Sequence, residues 1–157
     1  MDKHAETGLP APDLDDLLCF SIYSAGHAFN RVYRRHLERV GLTYPQYLVM
    51  VALWSRDNVT VGHLGERSSL DTSTLTPMIK RMEAMGLLER TRDTADERRV
   101  LVALTDRGRA VQREAGHVMR CVAEATGLGA DGTAALTREI QTLRRRLDQY
   151  EAGQTYL

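Results

Sequence analysis

Residues 59–104 read VTVGHLGERSSLDTSTLTPMIKRMEAMGLLERTRDTADERRVLVAL, and the order of elements in this stretch decides the fold. Thr60 is suited to cap a short helix containing Val61 and Leu64, with a turn over residues 68–71. In the helix that follows, Leu75, Met78, Ile79 and Met82 fall at offsets of three, four and seven, which defines one buried face. A proline deeper than about the first turn removes a backbone hydrogen bond, so Pro77 favours Ser73 as the N-cap. Gly86 stops this helix at Met85. Two runs, residues 87–92 and 99–104, flank the polar loop DTADER and predict a β-hairpin.

Long helices are expected on either side. Asp13 is a good N-cap, Asp15 and Asp16 suit the positive end of a helix dipole, and Leu14, Leu17, Leu18, Ala25, Phe29 and Val32 carry the pattern to Val40, where Gly41 stops it. Phe20, Tyr23, Tyr33 and Leu37 add a second apolar stripe. A helix apolar on two sides must bury both, and one small domain offers too little cover, so a partner subunit is implied. Thr43 caps a second helix with Pro45 in its first turn, Leu48, Val49, Ala52 and Leu53 on one face, and an end near Asp57 and Asn58. Trp54 is expected in the core. Beyond the hairpin, Thr105 caps a helix reaching about Thr126, and after the break at residues 127–129 a final helix starts near Gly132. Its Leu136, Ile140, Leu143, Leu147 and Tyr150 alternate steps of four and three, the spacing of a helix seam within or between subunits.

The 157 residues suit one domain, taken as residues 13–150, between a polar, disordered tail at 1–12 and a second tail at 151–157. Net charge is zero, so any nucleic-acid binding must rest on locally placed Arg and Lys. No signal-peptide core and no apolar run of membrane length occur, which places the chain in the cytoplasm, off the membrane. Cys19 and Cys121 make neither a disulfide framework nor a CxxC site. His4, His27, His36, His63 and His117 form no ligand set, and His117 with Cys121 gives two ligands where zinc takes four, so no metal is expected. No phosphate loop or Ser-His-Asp order points to a cofactor or an enzyme.

Helix, turn, helix and two-stranded wing between long helices is the order of a winged helix-turn-helix fold, mainly α with a small β-hairpin wing. The winged part would occupy about 43–104, and homodimerisation would use helices at about 13–40 and 105–150. Opposite Leu75 on the second helix of the motif lie Ser73, Thr76, Pro77, Lys80 and Ala84, with Arg81 at the flank and Thr74 beside them. Hydroxyls there can reach base edges, and Lys80 and Arg81 can neutralise phosphates. Arg98 and Arg99 at the hairpin tip suit a narrow minor groove, with Asp96 placed to hold Arg98. The implied partner is double-stranded DNA bearing a pseudo-palindromic operator, since two-fold protein symmetry must be mirrored in the duplex.

Four segments, LCFSIY, GLTYPQYLVMVALW, VTVGHLGERSSLDTSTLTPMIKRMEAMGLLER and DERRVLVALTDRG, resemble the organic-hydroperoxide-sensing OhrR branch of the MarR repressors over about residues 13–108. The resemblance implies a homodimer that represses a peroxidase gene and is released when a helix-one cysteine is oxidised by an organic hydroperoxide. The sensing cysteine falls on Cys19, and two thiolate-supporting tyrosines fall on Tyr33 and Tyr44. Phenol hydrogen bonds favour a thiolate without placing a fixed charge beside an alkyl chain. Phe20, Tyr23 and Tyr47 are candidates to line the peroxide pocket. Some members of the branch carry a resolving cysteine in a C-terminal helix, and Cys121 lies in that region, as a resolving thiol or as a packed structural one. Tyr33 lies fourteen residues beyond Cys19, about 21 Å along a straight helix, so any contact between them must cross the dimer. The alternative within the same fold is a repressor switched by a non-covalent aromatic ligand in the dimer crevice.

Overall fold

A computed structural model describes residues 12–153 except Glu97. Residues 1–11 of the tail expected at 1–12, His4 among them, and residues 154–157 of the second tail lie outside the described residues. The chain does not open with one continuous helix from Asp13. A 3-10 turn, Leu14–Asp16, forms first, with Asp13 Oδ1 accepting the N–H of Asp15 at 3.1 Å. Leu17 is extended and separates this turn from α1 (Leu18–Leu37). A short 3-10 stretch, Glu38–Val40, carries the chain to Gly41, whose φ of 69° ends the element.

Thr43 opens α2 (Tyr44–Ser55) through a capping box: its hydroxyl accepts the N–H of Gln46, and Gln46 Oε1 accepts the N–H of Thr43 at 2.9 Å. The helix buries Tyr47, Val49, Met50 and Leu53, a face turned from the expected one, with Leu48 and Ala52 only half-buried. Because α2 is apolar almost throughout, its sequence pattern discriminates poorly between faces. It ends at Ser55, short of the expected Asp57.

Then follow β1 (Val59–Thr60), α3 (Val61–Ser68), α4 (Thr72–Ala84), β2 (Leu88–Arg92), β3 (Val100–Leu104), α5 (Asp106–Thr126) and α6 (Ala130–Gly153). Thr60 and Thr105 cap α3 and α5 as expected, and Gly86 and Gly127 follow α4 and α5 at positive φ. The hairpin is one strand short of the whole sheet. β1 pairs with β3, Val59 opposite Val102, giving the antiparallel order β1-β3-β2. The N-cap of α4 is Asp71, not Ser73. Pro77 is therefore the sixth helical residue, and the carbonyl of Ser73 loses its intrahelical donor; Ser73 is exposed, so water can serve it.

Leu75, Ile79 and Met82 of α4 pack with Leu64, Met50, Leu53, Leu87, Leu88 and Val102 in the core, all at most 2% exposed. From α5, Val111, Ala115, Val118 and Val122 continue it, at helical steps of four, three and four. At the junction, Gly108 is required by close approach: a Cβ there would collide with the carbonyl oxygen of Leu87. Trp54 is half-buried beside it and donates Nε1–H to the Gly108 carbonyl at 3.0 Å. α6 buries nothing in this chain. Among the described residues no helix is long and apolar enough to cross a membrane.

Candidate nucleic-acid interface and thiol centre

The outward face of α4 follows from the burial of its inward one. With Leu75, Ile79 and Met82 inside, Ser73, Thr74, Thr76, Pro77, Lys80 and Arg81 are all exposed. At the wing tip Asp96 organises both arginines. Its Oδ1 accepts the backbone N–H and Nε–H of Arg98, each at 3.1 Å, and its Oδ2 lies 3.4 Å from Arg99 Nε. The Arg98 guanidinium, with help from the Arg98 N–H, holds the Asp96 carboxyl below the usual carboxylate range. Arg98 remains 92% exposed, a cation presented on a short loop rather than folded away. Helix face and wing tip are thus displayed together, as DNA contact through two grooves requires.

Two ion pairs that sequence pattern did not suggest fix this face to the rest of the molecule. Glu83 of α4 holds Arg90 of β2, at 2.7 Å from Nη2. Asp57, after α2, accepts the N–H of Leu104 at 2.8 Å and binds the Arg109 guanidinium, tying the end of β3 to the first turn of α5. Burial pushes the Asp57 carboxyl up, but the Leu104 N–H, Arg109 and the Asn58 N–H outweigh it and set it below the ordinary value. Asp57 and Arg109 are 52 positions apart and carry no local signal. Opposite charges either side of the Gly86 turn were the available hint for Glu83 and Arg90.

The tyrosines gather around the C-terminal half of α1. The Tyr33 ring lies 4.5 Å from that of Tyr44 and 5.7 Å from that of Tyr47. Burial, reinforced by Tyr44 and Tyr47, pushes the Tyr33 phenol up to about 12, and burial raises the other two as well. All three are neutral hydroxyl donors at ordinary pH. Cys19, in contrast, is exposed in the first turn of α1, with Phe20 half-buried and Tyr23 exposed edge-on to His27 at 4.4 Å. Since α1 is unbroken from Leu18 to Leu37, Cys19 cannot meet its own Tyr33. Within one chain the expected pocket residues therefore separate into two groups, Cys19, Phe20 and Tyr23 at one end and Tyr33, Tyr44 and Tyr47 at the other.

Cys121 is half-buried on α5, its Sγ 3.3 Å from His117 Nε2, and His117 faces His36 of α1 at 6.4 Å between rings. Both cysteines are free thiols.

A family model described as transcriptional regulator SarA/Rot matches residues 31–114, from the end of α1 into α5. The chain is 42% identical over 154 residues to the HTH-type transcriptional regulator TtmR of Methylorubrum extorquens, covering 98% of this chain and 78% of that one. It is 35% identical over 136 residues to the organic hydroperoxide resistance transcriptional regulator of Bacillus subtilis, covering 87% and 92%. Among solved structures it resembles reduced AbfR of Staphylococcus epidermidis bound to DNA, with a TM-score of 0.69 at 34% identity over 85% of this chain and 93% of that one.

Proposed function

The chain belongs to the MarR-like transcriptional regulators of the SarA/Rot type, and from that premise we propose that it is a homodimeric repressor released from its operator when an organic hydroperoxide oxidises Cys19. The observation that carries this reading is the separation along α1: an exposed thiol at one end and a cluster of neutral phenols about 21 Å away at the other. An antiparallel pairing of two α1 helices brings each thiol to the phenols of the other chain. The apolar residues left bare on α1 and α6, Leu18, Ile22, Leu136, Ile140 and Leu147 among them, supply the surface for such a pairing.

The chemistry is a single transfer. The Cys19 thiolate attacks one peroxide oxygen, the O–O bond breaks as the S–O bond forms, and the sulfur ends as sulfenic acid while the peroxide leaves as an alcohol, protonated by solvent or a phenol. Tyr33 and Tyr44 act as donors to the thiolate and the departing oxygen. Phe20, Tyr23 and Tyr47 provide the apolar wall for an alkyl chain. Cys121 of the opposite chain is the candidate resolving thiol: its sulfur attacks the sulfenic sulfur, and the disulfide forms with loss of water. His117, at 3.3 Å, is placed to accept the Cys121 proton. On the DNA side, the exposed face of α4 enters the major groove of each half-site and Arg98 the minor groove, with Arg99 beside it.

The test is a gel shift on the duplex upstream of the chain's own gene, with and without cumene hydroperoxide. Wild type should be released and Cys19→Ser should stay bound. Release of Cys19→Ser by the peroxide would place the switch elsewhere, and its release by an unreactive aromatic acid instead would support non-covalent ligand control. Non-reducing electrophoresis decides the role of Cys121: a covalent dimer lost in both single cysteine variants supports it, and a monomeric band from oxidised, DNA-released wild type excludes it.

A further inference from the structure

The helix face and the wing are joined by a side chain that belongs to neither contact set. Glu83, in the last turn of α4, accepts the backbone N–H of Arg90 through Oε1 at 3.1 Å and its Nε–H through Oε2 at 2.8 Å, with Nη2 at 2.7 Å. This is a charge-assisted fork between the recognition helix and the first wing strand, and each side chain is about one-third exposed, at 34% for Glu83 and 31% for Arg90. The Arg90 guanidinium in turn holds the Glu83 carboxyl below its ordinary range. Arg90 also lines a cleft of about 650 Å³ between α3, α4 and the wing, with Thr60, His63, Thr76, Arg98 and Arg99 around it. Among the described residues three arginines and one carboxylate, Glu66, line that cleft, with Glu83 holding Arg90 and Asp96 holding Arg98 and Arg99 so that their guanidinium groups are positioned around it.

We propose that Glu83 is a positioning residue for DNA binding: by gripping Arg90 it fixes the span between α4 and the wing, so that backbone phosphates enter the cleft while Arg98 reaches the groove beside it. The inference rests on the DNA-binding assignment and concerns a residue which that assignment leaves unused. Leu88 and Val102 pack the base of the hairpin into the core beside α4. Without the fork, the ribbon beyond that base loses its charge-assisted tie to α4 and can flex. Two effects of removing Glu83 then have opposite signs. Simple charge counting predicts tighter binding, because a carboxylate near the phosphates is lost and Arg90 is freed. Loss of positioning predicts weaker binding, because the wing no longer arrives in register with the helix.

The sign is measurable with the full chain on the duplex from upstream of its own gene, at fixed salt. Glu83→Ala should weaken binding about tenfold, the size of one charge-assisted hydrogen bond, and Arg98→Ala should add little on top because the wing is already misplaced. Glu83→Gln keeps an acceptor for the Arg90 N–H and should show a smaller loss of the same sign, which decides the matter if the alanine variant fails to fold. Unchanged or tighter binding in a folded variant, or an Arg98→Ala cost equal in both backgrounds, overturns the proposal. Wild-type binding in the same assay separates that outcome from failure of the DNA-binding assignment itself.

Discussion

The segment from α2 to β3 and the two helices α1 and α6 are built from similar helical material and end in opposite states. The first buries Leu53, Leu64, Leu75, Ile79, Met82 and Val102 almost completely within one chain. In the second, α6 has no buried residue and α1 has only Leu37, while Leu18 at 62%, Leu147 at 59% and Tyr150 at 70% stand exposed. The reading head is finished by its own chain. The two helices are not, and on α1 the bare Leu18 and Ile22 flank Cys19, where the proposed thiol centre is also incomplete. Completion of the fold and completion of the sensor thus call for the same second copy.

The strongest way to break this contrast is to charge the unfinished face. Leu136→Asp with Ile140→Asp should leave a folded monomer and lower operator affinity at least a hundredfold, because two linked half-site contacts become one. Sedimentation and gel shift check it, and an unchanged dimer mass would remove α6 from the interface. In the head, Leu75→Ala should cost about 3 kcal/mol of stability, a loss of buried volume that pairing with another chain does not restore. Chemical denaturation at several protein concentrations would show the same decrement at each.

Two smaller effects sharpen the comparison by pH. The Tyr33 phenol, raised to about 12 in the folded chain, favours the neutral form. Its contribution to stability is complete below the unfolded tyrosine value of about 10 and is lost as pH rises through the folded value, so Tyr33→Phe should flatten alkaline unfolding. Phenolate absorbance measured during the titration would follow the step. Asp57 has the opposite sign. Its lowered carboxyl contributes above the unfolded value of about 3.9 and ceases to as pH falls through the lower folded one, so Asp57→Asn should weaken the acid dependence modestly, as acid melting curves would show.

What the sequence disclosed and what it withheld divide by range of interaction. Thr43, Thr60 and Thr105, and the glycines at 41, 86 and 127 act on their immediate neighbours, and helix ends were legible from them. The face of α4 was legible because Leu75, Ile79 and Met82 alternate with hydroxyl and charged residues. β1 was missed because two residues, Val59 and Thr60, become a strand only through β3, some forty positions away. Asp71 displaced Ser73 because the penalty of Pro77 falls on a carbonyl that solvent can reach. The Asp57–Arg109 pair depends on how elements pack, which no local pattern states, and the Glu83–Arg90 pair left only opposite charges either side of the Gly86 turn as its signal. The sequence reading split Tyr33 and Tyr44 from Tyr47, which it set with Phe20 and Tyr23, whereas the three rings come together only through the packing of α1 on α2; spacing alone already divided Cys19 from Tyr33.

The unbroken run of α1 has a further consequence in the arithmetic of dose. In the proposed dimer each sensing thiol is completed by the other chain, so one oxidised sulfur disturbs a pocket that both chains share. If a fraction f of thiols is oxidised at random, the share of dimers with both pockets untouched is (1−f)², smaller than 1−f at every intermediate dose. Operator release should therefore run ahead of the chemical titration, and a rigid helix that keeps a thiol from its own tyrosine makes the regulator more sensitive than either of its chains.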